Sequence, residues 1–481
     1  MKVLFVTSTP FLSEPLGAMV LAAICRRAGH DTRLAILRSG GFLDTVRSYQ
    51  PDVIAYSAMS TELRFFRDAD AELRKWMEKN GKRIVRIMGG PHPTYWPAVA
   101  EELNLDAICQ GDGDLALPEY LKCIESGGDP NAIPNMATSG KGARNKHLFE
   151  DLDSLPFAHR EDYYKLVPYC RESGLRSFIA SRGCPYDCTY CYNHAFKEMF
   201  QGCGPILRRC SVQRLIAEIE YVVRTYPPVR LIRFGDDTFS HKADAWLEEF
   251  VRQYKTRIGI PFYCLMRSNT LTDDTARLLS EAGCQAVGMS LEAGSDAIRN
   301  GILKRNLPEE TVIRSFELAK RYKLNAFANS MLAIPGTTLA DDFETLDFAR
   351  RIRPAAPYFG VCCPYPGTQM WRMAVDAGHL DPQTQVGTHY LDRSVLKSYT
   401  QREKETQSRI CNLGVLYVHA PRWLTPALLL LMRTRLPLTR LTRLGLFYAD
   451  YRLATRIFPQ AIPRTPASLL RLVRDTFRTF G

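Results

Sequence analysis

Along the first 127 residues short apolar runs alternate with amphipathic stretches. Lys2 to Val6, Thr32 to Leu37, Val53 to Ser57, Arg83 to Met88 and Leu105 to Cys109 are predicted strands. Residues 16–28, 61–79, 95–103 and 115–126 carry apolar side chains at helical spacing. This alternation predicts a doubly wound parallel sheet with helices on both faces. Ligands of such sheets bind beyond the carboxyl ends of the strands, where loops meet helix N-termini. The loops there are small or polar: Thr7 to Pro10, Ser57 to Thr61, Gly89 to Thr94 and Gln110 to Asp114. In any one loop, glycines that merely make tight turns are the simpler account; four such loops on one rim favour a pocket.

A stretch rich in Gly, Pro, Asn and Asp, from about 127 to 145, has no apolar period and reads as a linker. Alternation resumes near Leu175 and continues to about 365, with strands predicted at Ser177 to Ala180, Leu231 to Phe234, Phe262 to Leu265, Ala286 to Ser290, Ala326 to Leu332 and Tyr358 to Cys362. The pattern predicts a parallel α/β barrel or part of one, with functional residues at strand carboxyl ends and in the loops after them. Beyond about 382 the strand pattern stops. Trp423 to Phe458 has helical periodicity, broken by Pro426 and Pro437 and ended by Pro459, with Arg433, Arg435, Arg440, Arg443, Arg452 and Arg456 set among leucines and aromatics.

A chain of 481 residues exceeds what one hydrophobic core serves, so more than one domain is expected. The net charge of +12 is concentrated at one end: residues 411–481 hold eleven Arg and two Asp, which accounts for +9 of it. Three readings of that end stay open: a helical cap on the barrel, a basic amphipathic surface for anionic membrane or for an acidic or lipid substrate, and, more weakly, a nucleic-acid surface without a recognition motif. The longest purely aliphatic stretch, Ala427 to Met432, is too short to span a bilayer. Fourteen cysteines, and a start that reads directly as a buried strand, place the chain in a reducing cytoplasm, with the basic end allowing peripheral contact with the inner membrane face. Most of these cysteines, among them Cys25, Cys109, Cys123 and Cys284, are expected to be small buried hydrophobes.

Cys184, Cys188 and Cys191 differ. They fall in the run Ser181-Arg182-Gly183-Cys184-Pro185-Tyr186-Asp187-Cys188-Thr189-Tyr190-Cys191-Tyr192-Asn193, directly after the first predicted barrel strand. Iron–sulfur clusters are normally held by four thiolates, so three close ones leave one iron open to another ligand. Zinc usually takes four protein ligands in a closed structural site, and no Cys or His pair with finger-like spacing lies nearby downstream. Three unrelated buried thiols are the remaining alternative.

Cys-x3-Cys-x2-Cys with Tyr190 before the last cysteine resembles the signature of the radical S-adenosylmethionine (SAM) superfamily. Phe234-Gly235-Asp236-Asp237-Thr238-Phe239 resembles the second-strand motif that receives the SAM amino group. Ser290-Leu291-Glu292-Ala293-Gly294-Ser295, with Lys304-Arg305 after it, resembles the stretch that contacts its ribose and carboxylate. Ile334-Pro335-Gly336-Thr337-Thr338 and Pro364-Tyr365-Pro366-Gly367-Thr368 resemble two further landmarks. In the first segment, Pro15-Leu16-Gly17, Gly29-His30, Gly90-Pro91-His92-Pro93 and Gly111-Asp112-Gly113-Asp114 resemble the cobalamin-binding domain of cobalamin-dependent radical SAM enzymes.

The resemblance covers about residues 1–370. It implies a cobalamin-binding domain over 1–127 with a Rossmann or flavodoxin-like sheet, a linker over 128–175, and a radical SAM domain over 176–370 built as a partial (β/α)6 TIM-like barrel. A basic helical region, 371–481, completes the chain. It further implies that Cys184, Cys188 and Cys191 hold a 4Fe–4S cluster and that Tyr190, Asp236, Asp237, Ser290, Glu292 and Arg305 contact SAM. The implied cobalamin rim is Thr9, Leu16, Gly17, Ser57, Ser60, Thr61, Gly89, Gly90, His92, Gly111, Gly113 and Asp114. No residue is singled out as a catalytic acid or base. The chain departs from many cobalamin proteins in lacking Asp-x-His-x-x-Gly, since neither His30 nor His92 has an Asp two residues before it. The resemblance thus implies no lower cobalt ligand from that motif.

For activity the resemblance implies methylation of an unactivated carbon, in which a deoxyadenosyl radical from SAM removes hydrogen from substrate and methylcobalamin supplies the methyl group. Two alternatives stand beside it: a cyclase or rearrangement enzyme using the same cofactors without methyl transfer, and a non-catalytic cobalamin or cluster sensor. The expected partners are a small-molecule substrate, leaning towards a lipid or other hydrophobic compound, and an external electron donor such as flavodoxin or ferredoxin. No nucleic-acid partner is expected.

Overall fold

A computed structural model describes residues 1–9, 14–384, 393–434 and 444–459. The described chain forms two compact units, residues 1–173 with 195–210, and residues 174–194 with 211–459. In the first unit β1 (Lys2–Thr7), β2 (Asp31–Ile36), β3 (Val53–Ser57), β4 (Val85–Gly89) and β5 (Ala107–Cys109) form a parallel sheet in the order β2-β1-β3-β4-β5. The order reverses between β1 and β3, which is the flavodoxin-like switch point. A sixth strand, β6 (Met136–Ala137), adds antiparallel to β5. It lies in the stretch read as a linker, where Leu148, Leu152, Tyr163 and Tyr164 are also buried.

The period of two along β1 explains the layers. Leu4 and Val6 join one apolar cluster with Phe66, Leu73 and Met77 of helix Leu63–Asn80, while Val3 and Phe5 join another with Ala18, Ala22 and Cys25 of helix Leu16–Arg27. Both faces are therefore dry, as a parallel sheet requires. The helix expected over 95–103 is two short ones, Pro91–Tyr95 and Val99–Glu102. Pro97 lies between them and cannot donate within a continuous helix.

The second unit holds six parallel strands: β7 (Leu175–Phe178), β8 (Leu231–Phe234), β9 (Phe262–Leu265), β10 (Cys284–Gly288), β11 (Asn325–Leu332) and β12 (Ala356–Val361), paired in sequence order. This is the partial (β/α)6 barrel. β7 ends two residues before the predicted limit because the backbone amides of Ala180 and Ser181 turn away to the Asp236 carboxylate. Helix Gln401–His419, which the sequence pattern does not single out, packs along β12; a side chain on its Gly414 would meet the Phe359 ring. Helices Thr425–Arg433 and Leu444–Arg452 and the π-turn Leu453–Ile457 come after it.

The last of these closes the barrel at the amino ends of its strands. Ile457 packs with Tyr263, Ala286 and Ala356, its carbonyl accepts from Gln285 Nε2 at 2.9 Å, and Arg452 Nε donates to the Ala355 carbonyl at 2.7 Å. The part of the basic run that is described thus acts as a barrel cap. Arg435, Arg440 and Arg443 lie outside the described residues, as does everything after 459.

One buried carboxylate ties the barrel to helix Gln401–His419. Asp342, on helix Leu339–Ile352, accepts from Ala333 N at 2.9 Å and from Gln407 Nε2 at 2.8 Å. Burial outweighs these bonds and pushes its pKa from 3.8 up to about 7. Between those values the native chain keeps a proton that the unfolded chain has lost, so this group's contribution to stability falls as pH rises through that window, by on the order of 3–4 kcal/mol. Melting temperature measured from pH 4 to pH 7 is expected to fall less in Asp342→Asn than in the wild type; parallel pH profiles would contradict this assignment.

Candidate functional site

The cysteine loop leaves β7 and is held by the groups that the motifs predict, in a more specific way than the motifs state. Asp236, at the end of β8, is 1% exposed. It accepts from Ala180 N at 3.1 Å, from Ser181 N at 2.6 Å and from Ser181 Oγ at 2.5 Å. Burial raises its pKa to about 6 against those bonds. These partners engage the Asp236 carboxylate in fixing the entry to the loop, while Asp237 beside it is exposed and acts electrostatically on Cys184 and Cys191. At the far side of the loop Thr189 donates N–H and Oγ1–H to the carbonyls of Leu303 and Ile302, at 3.1 and 2.9 Å.

Tyr190, Glu292 and Arg305 form one hydrogen-bonded cluster. Tyr190 Oη donates to Glu292 Oε1 at 2.9 Å, and Arg305 Nη1 donates to both that oxygen, at 3.0 Å, and Tyr190 Oη, at 2.5 Å. Arg305 Nη2 reaches the Ser290 carbonyl at 3.0 Å. Glu292 sits beyond β10 with φ +65° and bridges to Ser330 of β11, so a sheet-like contact continues past the strand end and aims its carboxylate at Tyr190. Arg267 belongs to none of the sequence motifs. Its guanidinium stacks 3.8 Å from the Tyr186 ring inside the cysteine loop and donates to the Arg305 carbonyl. Its place just past a predicted strand, on the functional end of the barrel, is the signal that finds it.

The thiols are partly buried. Burial, aided by the negative charges of Asp237 and the neighbouring cysteines, pushes Cys184 up to about 11 and Cys191 up to about 12. Three thiols on one loop, with Cys184 and Cys191 resisting ionisation on their own, suit a cationic iron–sulfur group, which deprotonates its ligands on binding. Among the described residues no three His, Cys, Asp or Glu side chains are arranged to hold a single metal ion.

On the first unit's rim the structure sorts the expected cobalamin residues. Ser57, Ser60, Thr61, Gly89 and His92 gather at the ends of β3 and β4, with His92 Nδ1 3.1 Å from Ser60 Oγ. Thr9 lies two residues beyond β1 and donates to Glu62 Oε1 at 3.1 Å; Leu16 and Gly17 open the first helix. Burial lowers the His92 pKa to about 4, and its Nε2 is buried without a hydrogen-bond partner among the described residues. A neutral imidazole with an unused nitrogen fits a rim that receives a polar ligand. Two glycines there are required by protein neighbours. A Cβ on Gly90 (φ +94°) would stand 2.9 Å from the Ala58 carbonyl oxygen, and one on Gly111 (φ +84°) would stand 2.4 Å from the Phe200 ring. The loop bearing Gly111, Gly113 and Asp114 is further tied down by Asp112, which pairs with Arg208 and accepts from Phe149 N at 3.0 Å.

Residues 178–349 match the Radical SAM superfamily model and residues 2–121 the B12 binding domain model. Curated relatives include the uncharacterized methyltransferase PH0819 of Pyrococcus horikoshii, 26% identical over 75% of this chain and 78% of that protein. The hopanoid C-3 methylase of Methylococcus capsulatus is 24% identical over 74% of this chain and 68% of that protein. The anaerobic magnesium-protoporphyrin IX monomethyl ester cyclase of Rubrivivax gelatinosus is 22% identical over 68% and 59%. Among solved structures, the cobalamin-dependent SAM radical enzyme OxsB with aqua-cobalamin and SAM bound shares the fold at TM-score 0.69, with 14% identity over 100% of this chain and 75% of its own. The radical SAM methyltransferase TsrM of Kitasatospora setae, with cobalamin and an iron–sulfur cluster bound, does so at TM-score 0.64, with 16% identity over 78% and 75%. Carrying a B12-binding domain ahead of a radical SAM domain, the chain belongs to the cobalamin-dependent radical SAM enzymes, whose cofactors are a 4Fe–4S cluster, SAM and cobalamin.

Proposed function

We propose that this protein is a C-methyltransferase acting on an unactivated carbon of a small molecule. The observation that carries the reading is the joining, in one barrel, of the three-thiol loop with the Tyr190–Glu292–Arg305 cluster at the edge of a cavity. On this reading residues 176–370 cleave SAM, 1–127 bind cobalamin with 128–175 between them, and 371–481 complete the fold. Methylase relatives support methyl transfer over ring closure; the cyclase relative keeps ring closure as the second reading.

When bound, the cluster supplies the electron for reductive cleavage of SAM, and cobalamin carries the methyl group. The chain's own work is to bind and orient. Cys184, Cys188 and Cys191 would hold the cluster, and with three thiolates rather than four they would leave it open to SAM. Asp237, exposed beside the loop, accepts from the SAM ammonium, a charge-assisted contact of the stronger sort, while Asp236 holds the loop that places it. Glu292 offers its second oxygen to the ribose hydroxyls, and the Arg305 fork keeps that carboxylate aimed. The electron comes from an external reductant such as flavodoxin or ferredoxin.

The test is labelled methyl transfer. Methyl-labelled SAM and reductant should give labelled product together with both deoxyadenosine and S-adenosylhomocysteine. Deoxyadenosine with an unlabelled product would sink methyl transfer in favour of the cyclase reading.

We also propose peripheral contact with anionic membrane. No helix among the described residues is long and apolar enough to cross a bilayer. Large apolar side chains stand exposed on the C-terminal helices: Trp423 at 79%, Leu430 at 72%, Phe447 at 65% and Tyr451 at 63%. Phe447 and Tyr451 share one helix face. Arg433 and Arg452 are engaged within the protein, over the Phe343 ring and at Ala355, so the apolar residues rather than these arginines carry the support. Salt-sensitive flotation with anionic vesicles is expected, weakened by Trp423→Ala; equal binding to neutral vesicles would count against it.

A further inference from the structure

The barrel interior is filled unevenly. In front of β9 and β10, Tyr263 and Leu265 occupy the space over Gly288, and Phe458 lies edge-on to Tyr263 with ring centroids 5.0 Å apart. In front of β11 and β12 the wall is Phe327, Asn329, Met331, Tyr358 and Gly360, and a cavity of about 410 Å³ remains. It runs from Tyr190, Glu292 and Cys362 at the strands' carboxyl ends to Leu453 of the capping π-turn. That volume lies within the range of small-molecule sites.

Its chemistry is one-sided. Among the described residues lining it, the single acid is Glu292, already paired with Arg305, and there is no Lys, Arg or His. A buried anion or cation on the substrate would find no partner there, and an unpaired buried charge is strongly disfavoured. On the strand wall Asn329 supplies the amide, beside the hydroxyl-bearing Ser330 and Tyr358. It is exposed in mid-strand, while Ala328 and Ser330 on either side are buried, and its side-chain amide makes no hydrogen bond to any described residue. Asparagine is a poor strand former, and at this position it supplies an NH2 donor group and a carbonyl acceptor to a chamber whose other uncharged polar side chains are hydroxyls and thiols.

We propose that this cavity takes the uncharged, largely apolar part of the substrate that bears the reacting carbon. Asn329 fixes its orientation through a hydroxyl, carbonyl or ring nitrogen, and Leu453 limits how far it reaches. The proposal rests on the barrel being the SAM-cleaving domain and adds the class of substrate.

The experiment uses the full-length holoenzyme and two naphthalene probes of similar size, neutral prodan and anionic anilinonaphthalene sulfonate. Prodan should bind with blue-shifted emission, and the sulfonate at least about tenfold more weakly at the same site. Leu453→Trp should remove the blue-shifted component. Asn329→Leu, which conserves volume, should weaken prodan about 3- to 10-fold, the range expected for one lost hydrogen bond. It remains decisive if Leu453→Trp fails to fold. Equal affinity for the two probes, or prodan binding indifferent to Asn329→Leu, overturns the proposal. Deoxyadenosine release is measured in the same samples. If release is normal but prodan ignores the substitutions, the cavity assignment alone fails. If no deoxyadenosine forms while prodan responds as expected, the SAM-cleavage reading fails and the neutral cavity stands.

Discussion

Cys188→Ala is expected to abolish SAM cleavage and the broad visible absorption of the iron–sulfur cluster together. Three thiols are the whole protein share of the proposed ligand set, so none is in reserve. Losing groups one step removed from a metal centre already costs about 10- to 100-fold in affinity or activity, and loss of a direct ligand should exceed about 100-fold. The substitution should leave the fold intact, because Cys188 is only half-buried and the loop is anchored through its neighbours, by Thr189 to Leu303 and Ile302 and by Ser181 to Asp236. Measured iron content, visible absorption and deoxyadenosine formation decide the matter. Retention of SAM cleavage would dismiss the cluster assignment.

Much of that site is legible in the sequence because chemistry imposes the spacing. The cysteines, Tyr190, Glu292 and Arg305 lie in short motifs, and each motif falls at a strand end that apolar periodicity locates independently. What periodicity does not reveal is which oxygen is already in use. The pair Asp236-Asp237 reads as two equivalent carboxylates, yet chain direction at the end of β8 sends the first inward to Ser181 and leaves the second outside. Likewise Gly90 and Gly111 look alike as rim glycines, and only the fold shows Ala58 and Phe200 against them. Helix Gln401–His419 is hard to see in the pattern because most of its face after Thr406 is buried, charged Arg409 included, which blurs an amphipathic stripe. Asn329 is hidden inside a run that reads simply as strand; its polarity gains meaning only because that face of β11 lines a cavity.

Arg305→Met is expected to lower stability and SAM affinity at once. The guanidinium is nearly fully buried and serves Tyr190, Glu292 and the Ser290 carbonyl. Removing it leaves Glu292 buried without its counter-charge, a change that typically costs about 3–5 kcal/mol. Arg305→Lys should recover only part of this, because an ammonium lacks the fork that meets three acceptors. Adding Glu292→Gln to Arg305→Met should restore much of the stability by removing the orphaned charge, yet leave SAM binding impaired. Thermal melts and SAM titration of the single and double variants separate the two roles. A single variant as stable as the wild type would show that the cluster does not act as a unit.

The floor of the barrel comes from far along the chain. Gln285 and Ile457, which meet at the amino ends of the strands, are separated by 172 residues. During synthesis the six strands emerge well before the turn that closes them, so the nascent barrel waits with Tyr263, Phe327 and Ala356 uncovered while the rest is translated. Such a long-range closure is slow and exposes apolar surface in the interval. Yield of folded protein should therefore depend on translation pace and chaperone supply, and a chain cut short before Leu453 would carry its cysteine loop, its motifs and an unfinished interior.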